Sequence, residues 1–385
     1  VSFADSIEEA LAELERDGLF RTERRVESSQ GTEIILHGRP VLCFCSNNYL
    51  GLAGHPALQA AVRKALPHDG VGAGASRLIS GSMEAHRLAE SALASFCEMP
   101  EAALFSSGYA ANLGTIQALL DREDVVFSDA LNHASLIDGC RLSRAQLHVY
   151  RHRDVDHLAA LLQRHRPSGR RALIVSDSLF SMDGVSAPLR ELRLLADRHD
   201  AGLLVDEAHA LGVLGPGGRG LAAEAGIQAD VLIGTLGKAF GAAGAFAAAS
   251  PSVVTLIRNR ARSYVFSTAP SPALSAAVAR ATELVREASQ ARASLRKHST
   301  YLRKELASLG YAVPSTGFHI LPILVGDNRR TMDLCARLLE HGVFVQGIRP
   351  PTVPPGTARL RLTPMATHSR AQIERAIEVF RRVAG

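Results

Sequence analysis

The sequence predicts an α/β protein. It has a large domain built on a mostly parallel sheet, a smaller α+β domain toward the C-terminus, and an N-terminal arm. Three observations carry this expectation. Between about residues 46 and 275, short apolar runs alternate with longer stretches of helical periodicity, the pattern of strand–helix–strand units. Beyond about residue 290 the alternation gives way to helices separated by single runs. Hydrophobic residues make up 46% of the 385, enough apolar material for a large core. The expected boundaries are 1–45 for the arm, 46–285 for the large domain and 286–385 for the small one.

In the arm, Ser6-Ile7-Glu8-Glu9 has the form of a capping box. Ile7, Ala10, Leu11 and Leu14 then recur at helical spacing up to Gly18. In the large domain the runs at 102–105, 125–127, 172–175, 203–205 and 231–233 are predicted strands. In the small domain a helix over about 291–309 precedes the run 319–325. A second helix over about 329–340 precedes the runs 343–345 and 358–362, and a last helix starts at Ser369.

Composition excludes several classes. No apolar run approaches the roughly 20 residues of a membrane helix, and the N-terminus lacks a basic segment followed by an apolar core. The five cysteines (Cys43, Cys45, Cys97, Cys140, Cys335) are scattered and show no CxxC or paired Cys/His spacing. No metal site is therefore expected, and a reduced, cytoplasmic protein is. The net charge of +5 raises nucleic acid as a partner. However, only Lys64, Lys238, Lys297 and Lys304 are lysines, the arginines are interspersed with acids, and aromatics are 5% of the chain. No nucleic-acid face is predicted.

In open parallel sheets, ligands gather at the carboxyl ends of strands. Three predicted strand ends carry suggestive residues. Leu104-Phe105 runs into Ser106-Ser107-Gly108-Tyr109, which opens a helix. The run at 203–205 ends in Asp206-Glu207-Ala208-His209, and the run at 231–233 ends in Gly234-Thr235-Leu236-Gly237-Lys238-Ala239-Phe240-Gly241. An Asp after a strand is most often a cap, and a Gly/Ser turn is most often only a turn. Lys238 is harder to dismiss, because it alone among the lysines is enclosed by Gly, Leu, Ala and Phe. Such surroundings disfavour the ammonium form, and the neutral amine is the form that attacks an aldehyde. The segment is not a P-loop, since GxxxxGK[ST] spacing is absent, and Gly72-Ala73-Gly74 fails GxGxxG.

Together these features suit pyridoxal 5'-phosphate (PLP). Lys238 would bind it as a Schiff base, and Asp206 would keep its pyridine nitrogen protonated. The N-terminus of the helix opened at Gly108, together with Thr235, would receive the phosphate. Asn132-His133-Ala134-Ser135 would offer a ring to stack on it.

These stretches, with Ser46-Asn47-Asn48-Tyr49-Leu50-Gly51-Leu52, resemble the α-oxoamine synthases, and the resemblance covers nearly the whole chain. These are fold-type I PLP-dependent transferases that condense an amino acid with an acyl thioester and release CO2. Val325-Gly326-Asp327-Asn328 and Ile348-Arg349-Pro350-Pro351-Thr352-Val353-Pro354 resemble the biotin-pathway branch. That branch joins L-alanine to a pimeloyl group carried on CoA or on a carrier protein.

The resemblance implies a role for each matching residue. Lys238 would be the Schiff-base lysine and the acid/base for the Cα proton. Asp206 would pair with the pyridine nitrogen, His209 with the ring hydroxyl, and His133 would stack over the ring. Gly108, Tyr109, Ser181 and Thr235 would hold the phosphate region. Thr268 would reach the phosphate from the partner subunit of a homodimer. Asn47, Arg349 and Arg361 would engage substrate carboxylates, with Arg21 and Thr352 near the acyl chain. Ala75 stands where the family carries a second consecutive glycine, so strain is expected there if that position needs φ > 0. Two alternatives stay open: a sister enzyme using glycine with acetyl-CoA, and a non-catalytic partner subunit.

Overall fold

The computed structural model describes residues 1–384. The strands in chain order are β1 (Glu33–Leu36), β2 (Arg39–Cys43), β3 (Glu101–Phe105), β4 (Val125–Asp129), β5 (Gln146–Tyr150), β6 (Ala172–Asp177), β7 (Gly202–Asp206), β8 (Val231–Thr235), β9 (Ala245–Ala249), β10 (Leu321–Gly326), β11 (Val343–Phe344), β12 (Gln346–Ile348) and β13 (Ala358–Leu362). Two compact units emerge, one of residues 48–181 and 185–292, the other of residues 1–47 and 182–184 with the described residues from 293 onward.

The larger unit is built on a seven-stranded sheet ordered β3-β9-β8-β7-β6-β4-β5. The five strands from β8 to β5 run parallel, and β9 runs antiparallel to both β8 and β3. The predicted, mostly parallel sheet is therefore present. Two of its strands were not anticipated. β9 reads Ala-Phe-Ala-Ala-Ala and carries no β-branched residue, yet all five positions are buried. Its small side chains suit a strand with paired neighbours on both edges and helices above. β5 is an edge strand with mixed exposure, so its apolar signal is weak.

Register decides where the chemistry can lie. Asp177 pairs with Asp206 across β6 and β7, and Asp206 pairs with Ile233 across β7 and β8. The ends of three parallel strands thus coincide, with Phe127, Val175, Leu204 and Ile233 buried behind them.

The smaller unit holds two three-stranded sheets, β10-β13-β12 and β1-β2-β11. β13 is antiparallel to both neighbours. Leu306, Leu321, Leu360, Ile377 and Phe380 form its core. The predicted helices appear as Ser289–Ser308, Asn328–Glu340 and Arg370–Ala384. The run predicted at 343–345 forms β11, and β12 follows it. The β1–β2 hairpin was not anticipated.

The arm helix spans Phe3–Arg16, so its predicted cap at Ser6 is corrected. The capping box is formed one turn earlier, by Ser2 and Asp5, and the Ser6 hydroxyl donates instead to the Phe3 carbonyl at 2.8 Å. Ser2-x-x-Asp5 satisfies the same rule as Ser6-x-x-Glu9 and starts a longer helix. The condition for strain at Ala75 is not met: it lies outside the left-handed region, and Gly74 takes the positive φ of 71°. The carbonyl of Ala75 accepts from the Ala269 amide at 3.0 Å, so the alanine is accommodated in ordinary backbone geometry.

The loop after β8 is closed by a glycine that nothing else can replace cheaply. Gly241 has φ +62°, its amide donates to the Lys238 carbonyl at 3.0 Å, and a Cβ there would lie 2.3 Å from the Leu52 carbonyl carbon. Gly241→Ala should lower the urea unfolding midpoint by the equivalent of about 2 kcal/mol or more, because both the dihedral and the backbone contact oppose it. An unchanged midpoint would show that the loop relaxes freely.

Candidate active site

In the larger unit, the ends of β6, β7 and β8 meet the starts of two helices. Asp206 closes β7 and is buried. Its carboxylate accepts from the Asn112 amide at 2.6 Å and from the Ala208 backbone N–H at 2.8 Å, both neutral donors. Asn112 lies on the helix Gly108–Leu119 and also donates to the Ser135 hydroxyl at 2.9 Å. Ser135 lies 2.7 Å from Nδ1 of His133. His133 caps the helix Ala134–Ser143, and its backbone N–H donates to Asp177 at 2.7 Å. Two strand-end carboxylates and one imidazole are thus joined by a single hydrogen-bonded chain.

The electrostatics of this edge follow from burial and proximity. Burial, reinforced by the Asp206 charge, pushes the Asp177 carboxyl well above its ordinary range. Burial also lowers His133; Asp206 opposes that shift and Lys238 reinforces it. His133 is therefore neutral at pH 7, and its flat ring is available for stacking.

Lys238 is half-buried, with Nζ 2.9 Å from Nε2 of His209. The Tyr49 hydroxyl is 2.7 Å from Nδ1 of the same imidazole. Both ring nitrogens are engaged, which fixes the orientation of the His209 ring. Thr235 ends β8, and its hydroxyl donates to the Ala208 carbonyl at 3.4 Å. A Cβ on Gly108 would fall 2.6 Å from the Thr235 methyl, so only glycine lets the helix start approach that strand end. Ser107 caps Ala110, leaving the N–H groups of Gly108 and Tyr109 without partners within the helix.

Ser181 is half-buried in the turn after β6 and has polar company there. Thr268 is exposed and bridges Ser76. The Tyr109 side chain is exposed and its hydroxyl donates to Asp138, so any phosphate contact at that position falls to the backbone.

The smaller unit gathers the guanidinium groups. Arg361 is buried on β13 and donates to the Asn47 side-chain oxygen at 3.1 Å. Arg21 donates to the Pro350 carbonyl at 3.3 Å and to the Thr352 hydroxyl at 3.4 Å. Arg349 is 9% exposed, donates to the Phe20 carbonyl, and its Nε is buried without a partner. Burial, with Arg21 beside it, lowers its pKa. Arg21, Arg24 and Arg349 line one cavity of about 310 Å3 with Phe20, Met332 and Phe344. The structure thus brings Arg21, Thr352 and Arg349 into one neighbourhood, and Arg361 with Asn47 into another.

Sequence reasoning named most of these side chains but missed those that tie them together. Asn112 lies one helical turn after Gly108, on the same face, and that spacing could have found it. Asp177 ends a predicted strand as Asp206 does, so the same rule reaches it. Arg24 had no such signal.

The residues of the larger unit fit PLP. A buried carboxylate held only by neutral donors suits a protonated pyridine nitrogen. A helix start that glycine brings against Thr235 suits a phosphate. An amine 2.9 Å from an imidazole suits the aldehyde carbon.

Comparison with known proteins agrees. Residues 39–380 match the family described as aminotransferase class I and II. The 8-amino-7-oxononanoate synthase of Geobacter sulfurreducens is 49% identical over 382 residues, covering 98% of this chain and 97% of that protein. Among solved structures, the serine palmitoyltransferase of Sphingomonas wittichii superposes with a TM-score of 0.93 at 33% identity, covering 99% of this chain and 96% of that one. A high-resolution structure of SPT with PLP as an internal aldimine gives a TM-score of 0.94 at 30% identity, covering 100% of this chain and 98% of that one. The chain belongs to the class I and II aminotransferase family of fold-type I, PLP-dependent enzymes, and within it to the 8-amino-7-oxononanoate synthases.

Proposed function

We propose that this chain condenses L-alanine with a pimeloyl thioester, giving 8-amino-7-oxononanoate, CO2 and the free thiol. The observation that carries the chemistry is the pairing of the Lys238 amine with His209, on the same strand-end face as the buried carboxylate of Asp206. The choice of substrates is supported by the 49% identical relative and by the guanidinium-rich smaller unit.

Bound PLP supplies a protonated ring that accepts the electron pair left at the carbon next to the amino group. The chain's own residues do the rest. Arg361, oriented by Asn47, holds the alanine carboxylate through its two parallel N–H donors. Lys238 Nζ takes the Cα proton and later returns one after CO2 has left. His209, fixed by Tyr49, positions that amine and would pair with the cofactor's ring hydroxyl. Asp206, in its cradle of neutral donors, would hold the proton of the cofactor's pyridine nitrogen, and neutral His133 would supply a flat ring for stacking. Gly108, Tyr109, Ser181 and Thr235 would receive the phosphate. Arg21, Arg349 and Thr352 receive the acyl chain and its far carboxylate.

We further infer a homodimer in which Thr268 reaches the phosphate of the second copy's site. The segments around Ser76 and Thr268 are bridged, and they expose Val71, Leu78, Ile79 and Phe266, a cluster of apolar side chains that a second copy would cover. All five cysteines are free, which supports a cytoplasmic location, and no described helix is long and apolar enough to cross a membrane.

Assaying alanine against glycine, each with pimeloyl and acetyl thioesters, tests the substrate assignment. The highest kcat/KM is expected for alanine with the pimeloyl donor, and a preference for glycine with acetyl would overturn it. Lys238→Ala should abolish turnover and the borohydride-reducible yellow chromophore. Asp206→Ala should still bind the cofactor yet lose about 10³-fold in kcat, the order expected when a buried charge partner of the reacting group is removed. Ile79→Glu with Phe266→Glu should sediment as a monomer with little activity, and an active monomer would remove Thr268 from the site.

A further inference from the structure

Cys43 and Cys45 stand two residues apart, and the reaction above uses neither. β2 ends at Cys43, and Phe44 continues its extended course. The Phe44 N–H donates to the Phe344 carbonyl at 2.9 Å, and the Phe44 carbonyl accepts from the Thr363 N–H at 2.7 Å. Side chains alternate along such a segment. Leu42 and Phe44 accordingly enter one core cluster of the smaller unit, together with Cys335. Val41, Cys43 and Cys45 pack on the other face with Ile34, Met365 and Phe344. The two thiols thus share a face, and they are hydrogen-bonded to each other. That bond draws the Cys43 thiol down to about 7 against the effect of burial, and together with burial it pushes Cys45 up. Cys43 is 2% exposed and Cys45 is half-buried, so a small oxidant meets Cys45 first.

The same segment carries a substrate contact. Asn47, two residues beyond Cys45, accepts from Arg361 at 3.1 Å. The Thr363 hydroxyl, two residues beyond Arg361, donates to the Phe44 and Ser46 carbonyls at 3.3 and 2.9 Å. Any pull on residues 43–45 is therefore felt where Asn47 orients Arg361.

We infer that Cys43 and Cys45 form a redox-sensitive dithiol that a hydroperoxide closes to a disulfide, and that closure weakens the hold on the alanine carboxylate. The second part rests on the proposed reaction. The Cys45 sulfur attacks the peroxide, the O–O bond breaks, and Cys45 becomes a sulfenic acid as an alcohol or water leaves. The Cys43 sulfur then attacks that sulfur, the S–O bond breaks, and water departs with the Cys43 proton. The thiols lose two electrons, and the peroxide is reduced by them. An extended two-residue step spans about 6.6 Å between Cα atoms, and a disulfide usually holds them about 5.5–6 Å apart. Closure thus draws the segment in by roughly 1 Å, enough to disturb the single Asn47–Arg361 hydrogen bond.

The test treats the holoenzyme with hydrogen peroxide, removes the excess with catalase, and reads thiols and alanine binding in parallel. In the wild type the five free thiols should fall to three, and the peptide holding residues 43–45 should lose two hydrogen atoms by mass spectrometry. The Kd for alanine, read from the cofactor's absorbance, should rise about fivefold, the order expected for one lost hydrogen bond. Dithiothreitol should restore it. The Cys45→Ser variant should bind alanine as the untreated wild type does and keep that affinity after peroxide. Five thiols after treatment, a bond joining any other pair, an unchanged alanine Kd in the closed form, or an equal loss of affinity in Cys45→Ser would each overturn the inference. A wild type that closes the pair but binds no alanine before treatment would refute the substrate assignment, and the second part of the inference with it.

Discussion

The architecture of the larger unit answers to one constraint, the burial of a negative charge at the end of β7. Removing a carboxylate from water costs several kcal/mol unless donors replace the lost hydration. Asp206 meets that requirement with neutral groups, the Asn112 amide and the Ala208 N–H. Recruiting Asn112 fixes where the helix Gly108–Leu119 begins. Ser135 then takes the second Asn112 proton and sets His133. A helix start, a stacking ring and a strand end are located by one anion.

The neighbouring strand shows how that charge is kept single. Asp177 is in register with Asp206, and two buried carboxylates so placed cannot both ionise cheaply. Burial and the charge of Asp206 push Asp177 toward its protonated form, while the His133 backbone N–H holds its oxygen. Asp177 is held by the His133 N–H, and the Asp206 carboxylate is held by Asn112 and Ala208. Glu207, next in sequence, is also buried and raised to about 7. Its oxygens accept from Ser178, Leu221 N–H and Ala222 N–H, so it serves the start of the next helix. Adjacent carboxylates therefore have opposite assignments, one turned to the reaction and one to the fold.

How much of this was legible in the sequence depends on what kind of signal each residue leaves. Strand-end residues such as Asp206 and Thr235 follow apolar runs, and their position alone marks them. Lys238 stands out by its Gly and Ala neighbours. β9 was invisible because alanine has no strand preference, and only the close packing of its neighbours makes it one. The arm helix was found, but its cap was placed one turn late, because two overlapping sequences satisfy the same capping rule. Asn112, Ser135 and Tyr49 act through hydrogen bonds to partners distant in sequence. No local pattern reports such a contact, although helical spacing from Gly108 narrows the search for Asn112.

The basic residues themselves show a division of labour. A guanidinium does not lose its proton in a protein, so arginine can bind carboxylates and cannot act as a neutral amine. Arg361 and Arg349 bring fixed positive charge into buried positions without introducing a second nucleophile. Lys64, Lys297 and Lys304 lie exposed. Lys238 alone is half-buried, with its amine 2.9 Å from the His209 imidazole. With 39 arginines to 4 lysines, the chain offers an aldehyde few amines to meet, and only one is placed beside groups that can hold the rest of the cofactor. The scarcity of lysine and the setting of Lys238 are two parts of one selectivity: the first limits competing sites, and the second fixes the remaining amine against His209.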